Sequence, residues 1–158
     1  MVDLGRSYEV NNEDIEPEAR LSGMDFSNAD LSDAELIRSD LSDSIIKRAK
    51  LTKAELINSD LSGVEAGSDT TFELAKLGGA DLSEARLIGT DFARVDASGV
   101  NFTDADLFGA NLSGDFSHSD FRRSNLEDSN LRGADLTECD LTGADLTNAD
   151  VRRADFSF

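Results

Sequence analysis

Large apolar residues fall at every fifth position along most of this chain. From Leu21 they run through Phe26, Leu31, Leu36, Leu41, Ile46, Leu51, Leu56 and Leu61, then from Phe72 to Leu112 and from Phe116 to Phe156. Of 28 such centres, 26 are Leu, Phe, Ile or Val, and Ala66 and Ala97 are the exceptions. The residue two before a centre is nearly always small, as at Ala29, Ala49, Ser59, Ala80, Ala105 and Cys139. The residue just before the centre is usually acidic, and the two after it are mostly polar, as in Ala134-Asp135-Leu136-Thr137-Glu138. A period of five fits neither a 3.6-residue helix nor a two-residue strand. It predicts a coiling path of short extended sides. Alternate residues of an extended segment share a face, so the small residue and the centre point inward and the acid between them points outward. Bulk beside smallness implies a narrow, filled interior with no substrate pocket.

A longer period sets the number of sides. Ala-Glu-Leu-Ile-Arg-Ser-Asp-Leu-Ser from Ala34 returns as Ala-Glu-Leu-Ile-Asn-Ser-Asp-Leu-Ser from Ala54, twenty residues on. Four units per coil make about seven four-sided coils, a stack roughly 34 Å long at a strand spacing of ~4.8 Å. The beat gains one residue among Gly67, Ser68 and Asp69 and loses one near Gly114. Residues 1–18 do not keep it and read as an N-terminal cap or tail, with the repeat domain at 19–158. A cap is expected because the end of a stack exposes unpaired backbone and core.

Charge changes the picture only in part. The chain has 33 acids against 15 Lys and Arg, a net charge of −18. The slot before the centre is Asp or Glu 18 times, so that one slot accounts for the excess. A basic surface for nucleic acid or anionic membrane is absent, so direct binding to either is not expected. No apolar run approaches the ~18 residues of a membrane span, and the N-terminus lacks the features of a secretion signal. A soluble, cytoplasmic protein is expected. An Asp-rich chain with 11 Arg and 4 Lys also suits a salt-loving source.

Catalytic groups do not converge. His118 is the sole histidine and has no evident nucleophile or orienting partner, and Cys139 fills an inward small slot. There is no Cys/His cluster for a metal and no phosphate-cradling glycine loop. The expectation is a protein that is not an enzyme and has no cofactor.

The run of Ala-[Asp/Asn]-Leu-x-x units over residues 19–158 resembles the pentapeptide repeat family. The resemblance implies an all-β fold, a right-handed quadrilateral parallel β-helix, in agreement with the four-unit coil. It also implies one of two roles. Most members have no assigned activity. The best understood resemble B-form DNA in shape and charge and bind type II topoisomerases such as DNA gyrase. Those members are usually dimers joined through a helical C-terminal cap, and some carry large loops. Here Ala154-Asp155-Phe156-Ser157-Phe158 keeps the repeat and the irregularities are single residues. The leading expectation is therefore a non-catalytic scaffold or binding module acting on an unidentified protein partner through acidic outer faces. The alternative is a DNA-mimicking topoisomerase regulator.

Dealing units to sides in rotation, on the premise that the irregularities skip no side, sorts the outward residues into columns. One column holds Asp40, Asp60, Asp81, Asn101, Asp120 and Asp140. Its neighbour holds Glu35, Glu55, Lys76, Asp96, Asp115, Asp135 and Asp155. The other two are diluted by Ile45, Lys50, Thr71, Arg86 and asparagines, so negative charge gathers on one half of the rod. Stacked apolar pairs, Ile37 with Ile57 and, opposite, Ile88 with Phe108, are candidate contacts. Phe156 and Phe158 at an open end suggest a tail-to-tail homodimer.

Overall fold

Each unit bends at the two residues that follow its centre. The amide three residues on donates back to the centre's carbonyl, as Ala29 does to Phe26 at 2.9 Å and Ala134 to Leu131 at 3.0 Å. The second residue after the centre takes a positive φ, near 60° at Asn28, Asp33, Arg48 and Asn58 and 71° at Gly133. This is the arrangement of a type II turn, whose third position favours Gly and Asn. One such corner per unit folds the chain into sides too short for continuous strands.

The structure, a computed structural model, describes residues 15–158. Parallel bridges link residues one coil apart, from Arg20 with Asp40 to Asp135 with Asp155. Each side contributes a single bridging residue per coil, so sheet character is reduced to columns of isolated bridges rather than extended strands. Around each bridge three amides cross between coils. On the third side Leu31 donates to Lys50, Lys50 to Ala29 and Asp33 to Thr52, at 2.7, 2.9 and 3.0 Å. The four sides carry, in order, the centres Leu21, Phe26, Leu31 and Leu36, and each coil repeats them.

The two irregularities stay at corners. Bridges step by twenty residues, by twenty-one across Gly67–Asp69 (Lys50 with Thr71) and by nineteen across Gly114 (Asp96 with Asp115). No side is skipped, as the column assignment requires. At the insertion Thr70 replaces the usual corner bonding. Its hydroxyl donates to the Ile46 carbonyl at 2.9 Å and accepts the Arg48 amide at 3.1 Å. At the deletion the Gly114 amide turns back to Leu112 at 3.0 Å. A Cβ there would lie 2.9 Å from the Val95 carbonyl oxygen, so only glycine fits.

The interior is a solid column. The centres from Leu21 to Leu136 are buried, with Ala29, Ala49, Ala80 and Ala105 beside them. Phenylalanines stack directly from coil to coil, Phe72 on Phe92 at 4.8 Å and Phe102 on Phe121 at 4.9 Å, close to the spacing of the bridged chain. Some inward polar groups bond the backbone: Ser59 donates to the Leu36 carbonyl and Cys139 to that of Phe116, at 2.6 and 2.9 Å, whereas the buried hydroxyls of Ser44, Thr90 and Ser129 have no protein partner among the described residues. Burial pushes the Cys139 thiol up to about 11.

The coil begins earlier than the sequence pattern indicates. Glu16-Pro17-Glu18-Ala19 makes the same corner, closed by the Ala19 amide on Glu16, and the Glu18 amide joins the next coil at Ile37. Pro17 stands where a type II turn prefers proline, and Ile15 packs on the core. The remainder of the expected cap, residues 1–14, lies outside the described residues. Among the described residues no helix is long and apolar enough to cross a membrane.

Candidate interaction surface

The acidic slot has a local task. In 14 of its 15 aspartates, one carboxylate oxygen accepts the amide two residues on, from Asp25 with Ser27 at 2.8 Å to Asp155 with Ser157 at 2.9 Å. This is an Asx turn, in which the side chain satisfies the amide at the corner. Glutamate is a carbon too long for it, and Glu35, Glu55 and Glu65 make no such bond. Asn101, Asn125 and Asn130 make it as well as aspartate does, at 3.0, 3.1 and 3.1 Å. The corner bond therefore favours Asp or Asn over Glu and is indifferent to charge, and Thr71 supplies it through its hydroxyl at 3.1 Å.

Asparagine has a second use where it occurs. Asn101 donates its amide to Asp81 at 3.0 Å, Asn111 to Asp91 at 2.8 Å and Asn125 to Asp106 at 3.0 Å, each across one coil. These replace carboxylate repulsion with a hydrogen bond. Where the columns stay acidic, they do so without that relief.

The bridges set the acidic columns side by side. Asp40, Asp60, Asp81, Asp120 and Asp140 run down the first side, interrupted by Asn101. Glu35, Glu55, Asp96, Asp115, Asp135 and Asp155 run down the adjoining fourth side, interrupted by Lys76, which pairs with Glu55 at 2.6 Å. All eleven carboxylate residues are exposed or half-exposed. Hydrogen bonds from Thr137 hold the Asp135 carboxyl below its ordinary range, and those from Thr142 do the same for Asp140. The Arg122 guanidinium lowers Asp120. The corner between the two sides thus carries fixed negative charge at neutral pH.

A model of pentapeptide repeats matches residues 18–48, 75–114 and 115–157, in eight copies. The chain belongs to the pentapeptide repeat family. Among solved structures it is similar to HetL of the cyanobacterium Nostoc sp. strain PCC 7120, a pentapeptide repeat protein involved in the regulation of heterocyst differentiation. That match has 31% identity and a TM-score of 0.54, and covers 87% of this chain and 70% of HetL. It also shares its fold with a trypsin-treated form of QnrB1, a plasmid-mediated fluoroquinolone resistance protein, at 23% identity and a TM-score of 0.52, covering 88% of this chain and 81% of that one. No curated protein sequence matches this chain significantly.

Within this pentapeptide repeat framework the other singled-out residues divide clearly. Ile37 and Ile57 stack half-buried on the fourth side, within the acidic corner, and Ile88 and Phe108 lie on the second side opposite. His118 sits on the acidic corner against Glu138, at 3.2 Å. Arg152 and Arg123 are taken by Asp150 and Asp104, at 2.5 and 2.6 Å. The last coil is the least covered: Val151, Phe156 and Phe158 are exposed, Phe158 at 97%. The Asx turn is the functional element that periodicity alone missed. Its signal was present, since a bare preference for acid would have admitted Glu as often as Asp.

Proposed function

We propose that the protein is a non-catalytic binding module whose contact surface is the acidic corner of the first and fourth sides. One observation carries the reading. The turn accepts Asn as readily as Asp, yet eleven of the thirteen outward slots between Glu35 and Asp155 on these two sides are carboxylates. The fold explains the side-chain shape and leaves the charge for a partner to use. Complementary charge steers a basic partner and orients it on encounter. Replacing Asp60, Asp81, Asp120 and Asp140 together by Asn keeps every corner bond and removes four charges. A partner captured at low salt is lost by this variant. Equal capture by variant and parent would overturn the reading.

A second reading, a DNA-mimicking regulator of a type II topoisomerase such as gyrase, draws support from spacing. Eleven carboxylates along the six coil steps from Glu35 to Asp155, about 29 Å, come to roughly one per 3 Å, against the 3.4 Å interval of phosphates on one DNA strand. It predicts that micromolar protein inhibits gyrase supercoiling in low salt and that the four-Asn variant does not. No effect of either protein would leave the general binding reading standing alone.

The right-handed sense of the coil is carried over from the family, and a cytoplasmic setting is part of the proposal. A tail-to-tail homodimer through Phe156 and Phe158 would cover the exposed apolar residues of the last coil. Light scattering is expected to give a dimer that Phe158→Asp dissociates. A monomer unaffected by that change sinks this part.

A further inference from the structure

The second side, opposite half of the acidic corner, carries a surface of different chemistry. Along it the residues after the centres are Ser27, Lys47, Gly67, Ile88, Phe108, Glu127 and Thr147, one per coil, with the run from Lys47 to Phe108 set between polar ends. The insertion falls within this column, and Gly67 leaves a gap between the Lys47 and Ile88 side chains. Cβ atoms added at Gly67 or Gly109 would meet nothing within 4 Å. The result is a shallow hollow of about 390 Å³ lined by Ile88 and Phe108 together with Lys47 and Arg86. Phe108 is 37% exposed, the one large aromatic outside the last coil to be so among the described residues. No carboxylate lines the hollow.

The two cations differ. Lys47 is held by Glu65 at 2.6 Å. Arg86 makes no ion pair among the described residues, although Glu65 and Asp106 flank it in its bridge column. An apolar lining beside an unpaired guanidinium, on a rod of net charge −18, selects by charge as well as shape. A basic segment is drawn to the acidic corner instead. A segment offering a carboxylate next to a ring or branched apolar side chain fits both parts of the hollow, the carboxylate on the Arg86 fork and the apolar group on Phe108 and Ile88.

We propose that this hollow binds a short acidic segment of a partner protein through one aromatic or branched apolar anchor. The rod then holds two unlike partners on opposite sides, a basic one on the corner and an acidic one here. The site stands apart from the acidic corner and does not depend on it.

The test is a titration of the isotopically labelled full chain, followed by amide NMR. The probe is the peptide acetyl-Gly-Asp-Phe-Glu-Gly-amide; controls carry Lys for both acids, or Ala for Phe. Saturating shifts are expected at Gly67, Gly89, Phe108 and Gly109, with a Kd of roughly 1 mM for so small a ligand. Both Phe108→Ser and Arg86→Gln are expected to weaken it about tenfold, while Asp60→Asn leaves it unchanged. Both altered residues are exposed, and thermal melts confirm that the variants fold. The proposal is overturned if the acidic peptide shifts no amide around the hollow at 5–10 times that concentration, if the Lys peptide shifts the same amides equally, or if Phe108→Ser binds like the parent.

Discussion

Asp60 separates what the fold requires of an acidic residue from what it merely tolerates. Its carboxylate accepts the Ser62 amide at 2.9 Å and the Ser62 hydroxyl at 2.6 Å, and it sits between Asp40 and Asp81 in a column of bridged residues. Two unit charges ~4.8 Å apart in water repel by roughly 0.9 kcal/mol, and screening at physiological salt about halves that. With two neighbours, Asp60→Asn is expected to relieve about 1 kcal/mol at physiological salt and nearly twice that in very dilute buffer. It keeps both bonds from Ser62, because the amide oxygen takes the place of the carboxylate oxygen. Asp60→Ala gains the same relief but strands the corner amide, a loss of about 1 kcal/mol. Asn is therefore expected to melt a few degrees above the parent in low salt and close to it in molar salt, with Ala about 2–4 °C below Asn throughout. Thermal melts at two salt concentrations decide it. An Asn variant no more stable than the Ala variant would mean that the corner bond contributes nothing, and the structural explanation of the acidic slot would fall.

Three further outcomes follow from the packing and the charges. Phe102 is fully buried, stacked on Phe121 and edge-on to Phe92, so Phe102→Ala is expected to cost about 3–5 kcal/mol and lower Tm by about 10 °C or more. Gly114→Ala drives a methyl group against the Val95 carbonyl and is expected to destabilise by about 1–3 kcal/mol, whereas Gly133→Ala, in open space, carries only the strain of its positive φ. Equal melting points for the two would remove the close approach as the reason for glycine at 114. Arg152 pulls the Asp150 carboxyl down to about 2, from an ordinary 3.8. A pKa lower in the folded state gives stability that is complete above the unfolded value and fades as pH falls toward about 2. The difference in Tm between parent and Arg152→Gln should hold from pH 7 to 5 and close by pH 2.

The architecture was legible because its cause is repetitive. Twenty-eight centres at one spacing leave no other path for the chain, and the Ala34 and Ala54 segments expose the coil length directly. Column membership was legible too, since the insertion at Gly67–Asp69 and the deletion at Gly114 are absorbed within corners. Less legible was the corner itself. Arg38, Lys53, Leu74 and Glu84 all hold positive φ there, and none belongs to the residue types that prefer it. Hydrogen bonds between coils impose that conformation, and a single unit's composition cannot reveal a bond made twenty residues away. The start of the coil at Glu16 was hidden for the same reason, because its centre position lacks the apolar residue that marks every later one. The hollow beside Phe108 depends on what Gly67 leaves empty, and an empty place has no residue type to announce it.

Because bridging recurs every twenty residues, the rod behaves as a screw with a fixed thread. Excising one whole coil, such as residues 36–55, shortens it by a single pitch and leaves every downstream residue on its own face. Removing one unit of five instead turns everything beyond the cut by a quarter revolution. The acidic stripe would then break and continue on a neighbouring face, at the loss of only one unit's core and slot residues. Length and surface pattern are thus independently adjustable in this chain, the first by twenties and the second by fives.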